Sequence, residues 1–218
     1  MRRFVRWAES ANKDRTRLRV LRTSSDDVNY WDEHVQPEVA QMADRADRNW
    51  RWPFLLRWVN LVGGGLRQQP LVLTLSADLG GSRGVHVGFI AVMQKYPFPR
   101  RQREDSVFVW FMTAAPEKFL PKLLNCPEDR VPKGLTRLCL DTALVLSYDR
   151  SLDGRTWLHA SKKGDERLMQ WYARQAMSNI PKSVKLPLGY RMLSNDGRYF
   201  EYDERGAAAA VAKLDEYR

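Results

Sequence analysis

The sequence predicts an α/β fold with a mixed, mostly antiparallel central sheet flanked by helices, and three observations carry that expectation. The segment SVFVWFMTA (106–114) is apolar on both faces and rich in aromatic and β-branched residues, as a strand covered on each side must be. Two stretches read as hairpins: 70–97 across Gly80-Gly81-Ser82-Arg83-Gly84, and YRMLS to RYFEY (190–202) across Asn195-Asp196-Gly197. From Gly134 onward, helical and strand-like segments alternate.

Taken in order, residues 1–13 form a basic arm with helical potential. In TRLRVLRTS (16–24), Leu18, Val20 and Arg22 alternate with Arg17, Arg19 and Leu21, which predicts a strand. Ser24 or Ser25, followed by Asp26 and Asp27, signals a helix N-terminus. The spacing then predicts helix over 28–50, with Pro37 marking a break or a fresh start. WPFLLRWVNLV runs into Gly63-Gly64-Gly65, and FPRRQRED (98–105) reads as a polar loop between the first hairpin and the central strand. Residues 135–148 carry apolar side chains on more than one side, so that helix should be well buried. RTWLHAS (155–161) is a short strand, and Asp165–Ala176 an amphipathic helix with Leu168, Trp171 and Tyr172 on one face. The expected organisation is a basic arm (1–15), one domain (16–204) and an alanine-rich C-terminal helix (205–218).

Composition bounds the function. No segment reaches the ~20 apolar residues a membrane span needs, and MRRFVRWAESANK lacks the apolar core of a secretory signal. Cys126 and Cys139 have neither metal-ligand nor C-x-x-C spacing, and the three histidines are scattered, so no metal is expected. Free thiols and no export signal point to the cytoplasm. Thirty-six Lys and Arg against 26 Asp and Glu leave a net charge of +10, which favours a phosphate-bearing or polyanionic partner.

The stretch VPKGLTRL (131–138) admits two readings. A helix N-terminus presents backbone N–H groups without internal partners and the positive end of the dipole. A glycine there lets a ligand approach the backbone, with Lys133 and Arg137 adding charge, so the stretch fits a pyrophosphate cradle. It equally fits an ordinary helix start with a glycine in it.

The arrangement resembles the Gcn5-related N-acetyltransferase (GNAT) superfamily, in a divergent branch. That family binds the pyrophosphate of acetyl-CoA on a Gln/Arg-x-x-Gly-x-Gly/Ala loop. VPKGLT sets Val131 in the first position, Gly134 in the glycine position and Thr136 in the last, with Lys133, Leu135 and Arg137 beside them. The family's Asn-x-x-Ala-x-x-x-Tyr helix has a counterpart in DERLMQWY, with Asp165, Leu168 and Tyr172 in the three places. The resemblance implies that Asp165 touches the pantetheine arm and that Tyr172 protonates the departing thiolate. It also implies that the strand end Phe111, Met112, Thr113 and Ala114 pairs its backbone with pantetheine. ADRNWRW (46–52) and RYFEYDE extend the likeness, which covers residues 16–204. Acetyl-CoA is then the co-substrate, and the acceptor a small-molecule or protein amine, an RNA-borne amine also being compatible with the charge. A homodimer is admissible.

The family has no fixed base, and this sequence offers Glu33, His34, Asp47, Glu104, Asp105 and His159. Trp50, Trp52 and Trp58 fit either core packing or stacking on an acceptor. Two other readings stand beside the enzyme: a degenerate GNAT-like binding module, for which the apolar Val131 speaks, and a basic nucleic-acid-binding protein. The latter lacks RNP, zinc-finger and helix-turn-helix signatures.

Overall fold

A computed structural model describes residues 4–12, 15–65, 69–78, 84–187 and 195–214. Among them, eight strands form one sheet, in the order β1 (Phe4–Glu9), β2 (Arg15–Arg22), β3 (Gln69–Asp78), β4 (Val85–Phe98), β5 (Arg101–Ala114), β6 (Thr156–His159), β8 (Tyr199–Tyr202) and β7 (Ser178–Asn179). All neighbours are antiparallel except β5 and β6, which run parallel. The sheet is therefore mixed and mostly antiparallel, as its sequence predicts.

Helices cover both faces. Phe89 of β4 packs its ring 5.0 Å from Trp31 and 5.0 Å from Trp52, which lie on α1 (Ser25–His34) and α3 (Trp52–Gly65). Its neighbour Gly88 points the other way, as strand alternation requires. A methyl group there would lie 3.5 Å from the Cys139 sulfur of α5 (Leu135–Asp149) and 3.0 Å from the Thr113 carbonyl. Gly88 thus lets α5 sit close on the face opposite α1 and α3. A second apolar cluster, with Tyr96, Phe108, Trp157, Ile180 and Tyr199, closes the far half of the sheet.

Three local outcomes differ from the sequence expectation. Residues 4–9 of the arm are a strand antiparallel to β2, where a helix was one expectation. The helix predicted over 28–50 divides: α1 ends at His34, α2 (Gln36–Ala40) restarts around Pro37, and residues 41–51 are turns. Buried Gln36 holds those turns by donating to the carbonyls of Asp47 (3.0 Å) and Arg48 (3.2 Å) while accepting from the Trp31 indole. The polar run 98–105 is mostly strand, since β5 begins at Arg101, whose guanidinium binds Glu204 at 2.6 Å. Paired charges suit such a strand end, which composition alone reads as a loop.

The insertion 117–130 folds as α4 (Leu120–Leu124) and a single 3-10 turn, Glu128–Arg130. α6 (Glu166–Arg174) and α7 (Glu204–Leu214) complete the described chain. The first strand of the second expected hairpin, YRMLS, lies outside the described residues, apart from the turn that follows it.

Candidate functional site

The site begins with a parting of strands. β6 pairs with β5 only along Val107–Val109, opposite Thr156–Leu158. Immediately beyond, Trp110 is an extra residue in β5, because Ala91 pairs with Phe111 and Val92 with Val109. Such a bulge bends the strand that carries it. From there to Ala114, β5 keeps β4 on one side and has no strand on the other among the described residues. The opening is a cavity of about 480 Å³, walled by Phe111, Met112 and Thr113, by Asp47 and Trp50, and by His159 and Tyr172. It shares Arg45, Ala114, Thr136 and Trp171 with a larger cavity of about 1020 Å³. Lys133, Gly134, Leu135, Thr136 and Arg137 line that second space, so one groove joins the parted strands to the start of α5.

Gly134 is the N-cap of α5 in the left-handed conformation (φ 73°, ψ 20°), with open space where a side chain would stand. No side chain caps the helix. The amides of Gly134, Leu135, Thr136 and Arg137 have no acceptor among the described residues, and the first bond of the helix is Leu138 to Gly134 at 3.0 Å. The loop is anchored from behind: the Lys133 amide donates to the Glu9 carbonyl at 2.9 Å, and Asn12 binds Asp129. With exposed Lys133 and Arg137 at its rim, this helix start suits an anion. Val131 differs from its expected place. It is 5% exposed in the main core and lines neither part of the groove, so any cradle here is one of backbone and neighbouring charge.

Tyr172 reaches the groove from α6, its ring 5.1 Å from Trp171 and 5.5 Å from Phe200. Burial pushes its phenol well above the ordinary value, and nearby Asp47 and Cys139 add to the effect, so it stays protonated. Asp165 does not meet it there. Its carboxylate caps α6 by accepting the Arg167 amide at 2.9 Å, and it lines neither cavity.

The sequence reading missed the groove's polar floor. Arg45 donates to both oxygens of buried Asp47 (2.8 and 2.6 Å), to the Thr113 hydroxyl (3.2 Å) and to the Ala114 carbonyl (2.9 Å), while Thr113 also bonds Asp47. This network ties the 41–51 turns to the parted end of β5. The signal available was the pairing need of an aspartate inside ADRNWRW. Among the described residues, no group of three His, Cys, Asp or Glu is placed to hold a metal, and no helix is long and apolar enough to cross a membrane.

No protein-family model matches the sequence, and no curated protein matches it either. Solved structures do. The chain is similar to apo FdhC, a nucleotide-linked sugar GNAT, with a TM-score of 0.52 and 8% identity over 98% of each chain. It is also similar to AtaTR bound with AcCoA, with a TM-score of 0.50 and 10% identity over 89% of this chain and 98% of that one. With its bulged, parted central strand and uncapped helix start, the chain has a divergent GNAT-like fold.

Proposed function

We propose that this protein is an acetyl-CoA-dependent N-acyltransferase that moves an acetyl group onto a primary amine by direct attack. The observation that carries the reading is the continuity of the groove, from open amides at one end to a protonated tyrosine at the other. The solved AtaTR structure, similar in fold, is bound with AcCoA. The residues here suit the same molecule: the Gly134–Arg137 amides, Lys133 and Arg137 for the pyrophosphate, and, on the side away from β4, the backbone edge of Phe111, Met112 and Thr113, which no strand pairs among the described residues, for the pantetheine amides.

The thioester supplies an activated acyl group. The amine lone pair forms the new C–N bond as the C–S bond breaks, and the sulfur takes the phenolic proton of Tyr172. The groove admits a small-molecule or protein amine, and the +10 charge also suits an amine carried on RNA.

Titrating the protein with acetyl-CoA in a thermal-shift assay tests the reading. The melting temperature should climb with ligand concentration by mass action. No shift at millimolar-range acetyl-CoA would overturn the proposal. A shift without transfer to any amine would leave a binding module in its place.

A further inference from the structure

Transfer needs the acceptor amine without its proton, and the fold sorts the six side chains that the sequence offers for that step. Glu33 and His34 are exposed on α1 and line neither part of the groove. Glu104 pairs with Arg101 (3.2 Å) and Arg155 (3.4 Å), and Asp105 is beside it, both at the end of β5 away from the opening. Asp47 lines the groove, but its carboxylate is taken by Arg45 and Thr113.

His159 remains. It is the last residue of β6, one step beyond the final β5–β6 pair, at the mouth of the parting. Its Nε2 lies 3.2 Å from an Asp196 carboxylate oxygen, and its ring packs 4.5 Å from Tyr199. Its other ring nitrogen has no hydrogen-bond partner among the described residues. We infer that His159, oriented by Asp196, is the general base of the acyl transfer, an assignment that rests on the N-acyltransferase reading above.

With Asp196 accepting from Nε2–H, the lone pair sits on Nδ1. The charged groups around the ring are Asp196, Lys162 and Arg198. Burial lowers the imidazole pKa below 6.5; Asp196 opposes this, and Arg198 and Lys162 reinforce it, so the ring is neutral at neutral pH. Nδ1 takes one proton from the acceptor ammonium and later releases it to water. The neutral amine forms the C–N bond, the C–S bond breaks, and the thiolate takes the Tyr172 proton. The second amine proton, shed as the nitrogen becomes an amide, restores the phenol through solvent. The net products are amide, free thiol and one proton.

The test uses thiol release from saturating acetyl-CoA with water as the nucleophile, in the full chain and in the H159Q and D196N variants. The wild-type rate should rise with pH along an acid limb centred below 6.5. H159Q should be slower by about tenfold or more and lack the limb, with acetyl-CoA affinity within about twofold. D196N should move the limb to lower pH, because the carboxylate raises the imidazole pKa. An independent readout is histidine NMR. The His159 resonances, assigned by their loss in H159Q, should show an Nε2–H tautomer titrating below 6.5 and lower still in D196N. A wild-type limb and rate in H159Q, or an Nδ1–H tautomer, would each overturn the base. Failure to bind acetyl-CoA at all would instead overturn the acyltransferase reading.

Discussion

The starts of α5 and α6 are built on opposite plans, although both border the same groove. α6 is closed by its own side chain, with Asp165 accepting the Arg167 amide. α5 begins at a glycine with no side-chain cap and amides that find no acceptor among the described residues. α1 follows the closed plan too: Ser24 and Asp27 form a reciprocal capping box. Orphan amides at a helix start ordinarily favour a capping residue by about 1 kcal/mol. On the proposed reading, the amides that α5 leaves uncapped at the cavity hold the pyrophosphate. On that reading α6 would serve the groove through its side chains and α5 through its backbone.

The largest effect should come from the side-chain half of that contrast. Tyr172→Phe removes one hydroxyl and keeps the ring packing against Trp171 and Phe200. Turnover should fall by about a hundredfold, with acetyl-CoA affinity unchanged by calorimetry. Unchanged turnover would reduce Tyr172 to a packing residue and leave α6 with no part in the chemistry.

The backbone half is tested by making α5 more like α6. Gly134→Asp meets open space, and aspartate tolerates the left-handed region better than most residues. It sets a carboxylate beside the open amides and should weaken acetyl-CoA binding by about 2 kcal/mol, or roughly thirtyfold. If affinity holds, the amides are not the anion site. The converse change, Asp165→Ala, should cost about 1 kcal/mol in denaturant unfolding while leaving affinity in place. A loss of affinity there would restore the pantetheine contact that the sequence suggested for Asp165.

Much of this was legible from residues alone, and the limits have physical causes. The both-faces apolarity of 106–114 marks the central strand because burial on two sides leaves that pattern. Gly134 stands out because it precedes a helix start, and Tyr172 because the resemblance to the GNAT helix pattern gives it a place. Val131 shows where such reasoning stops: which way a side chain turns depends on what the loop packs against, here the core. The Arg45–Asp47–Thr113 network and the Asp196 partner of His159 join residues 66 and 37 positions apart, and no local pattern records such contacts. The strand at residues 4–9 is not marked in the sequence because its partner, β2, follows without a hairpin dipeptide between them.

The smallest effect extends the comparison to α1. Asp27 of its capping box also lies 3.0 Å from His86 on β4. Burial lowers the His86 pKa, with Asp27 opposing, so the folded ring resists a proton that the unfolded chain accepts at the ordinary 6.5. His159 behaves in the same way. The unfolded state then binds more protons just below that value, and folding stability should decline as pH drops through it. A second decline should follow below 4.5, as pH falls toward the value of about 2 to which hydrogen bonding from Arg101, helped by Arg155, holds Glu204. Melting temperatures measured across this range should show both steps. His86→Gln should remove part of the first and leave the second, along with acetyl-CoA affinity, untouched, because His86 lines neither part of the groove. An affinity change in that variant would mean that the closed helix start and the open one are coupled through the sheet between them.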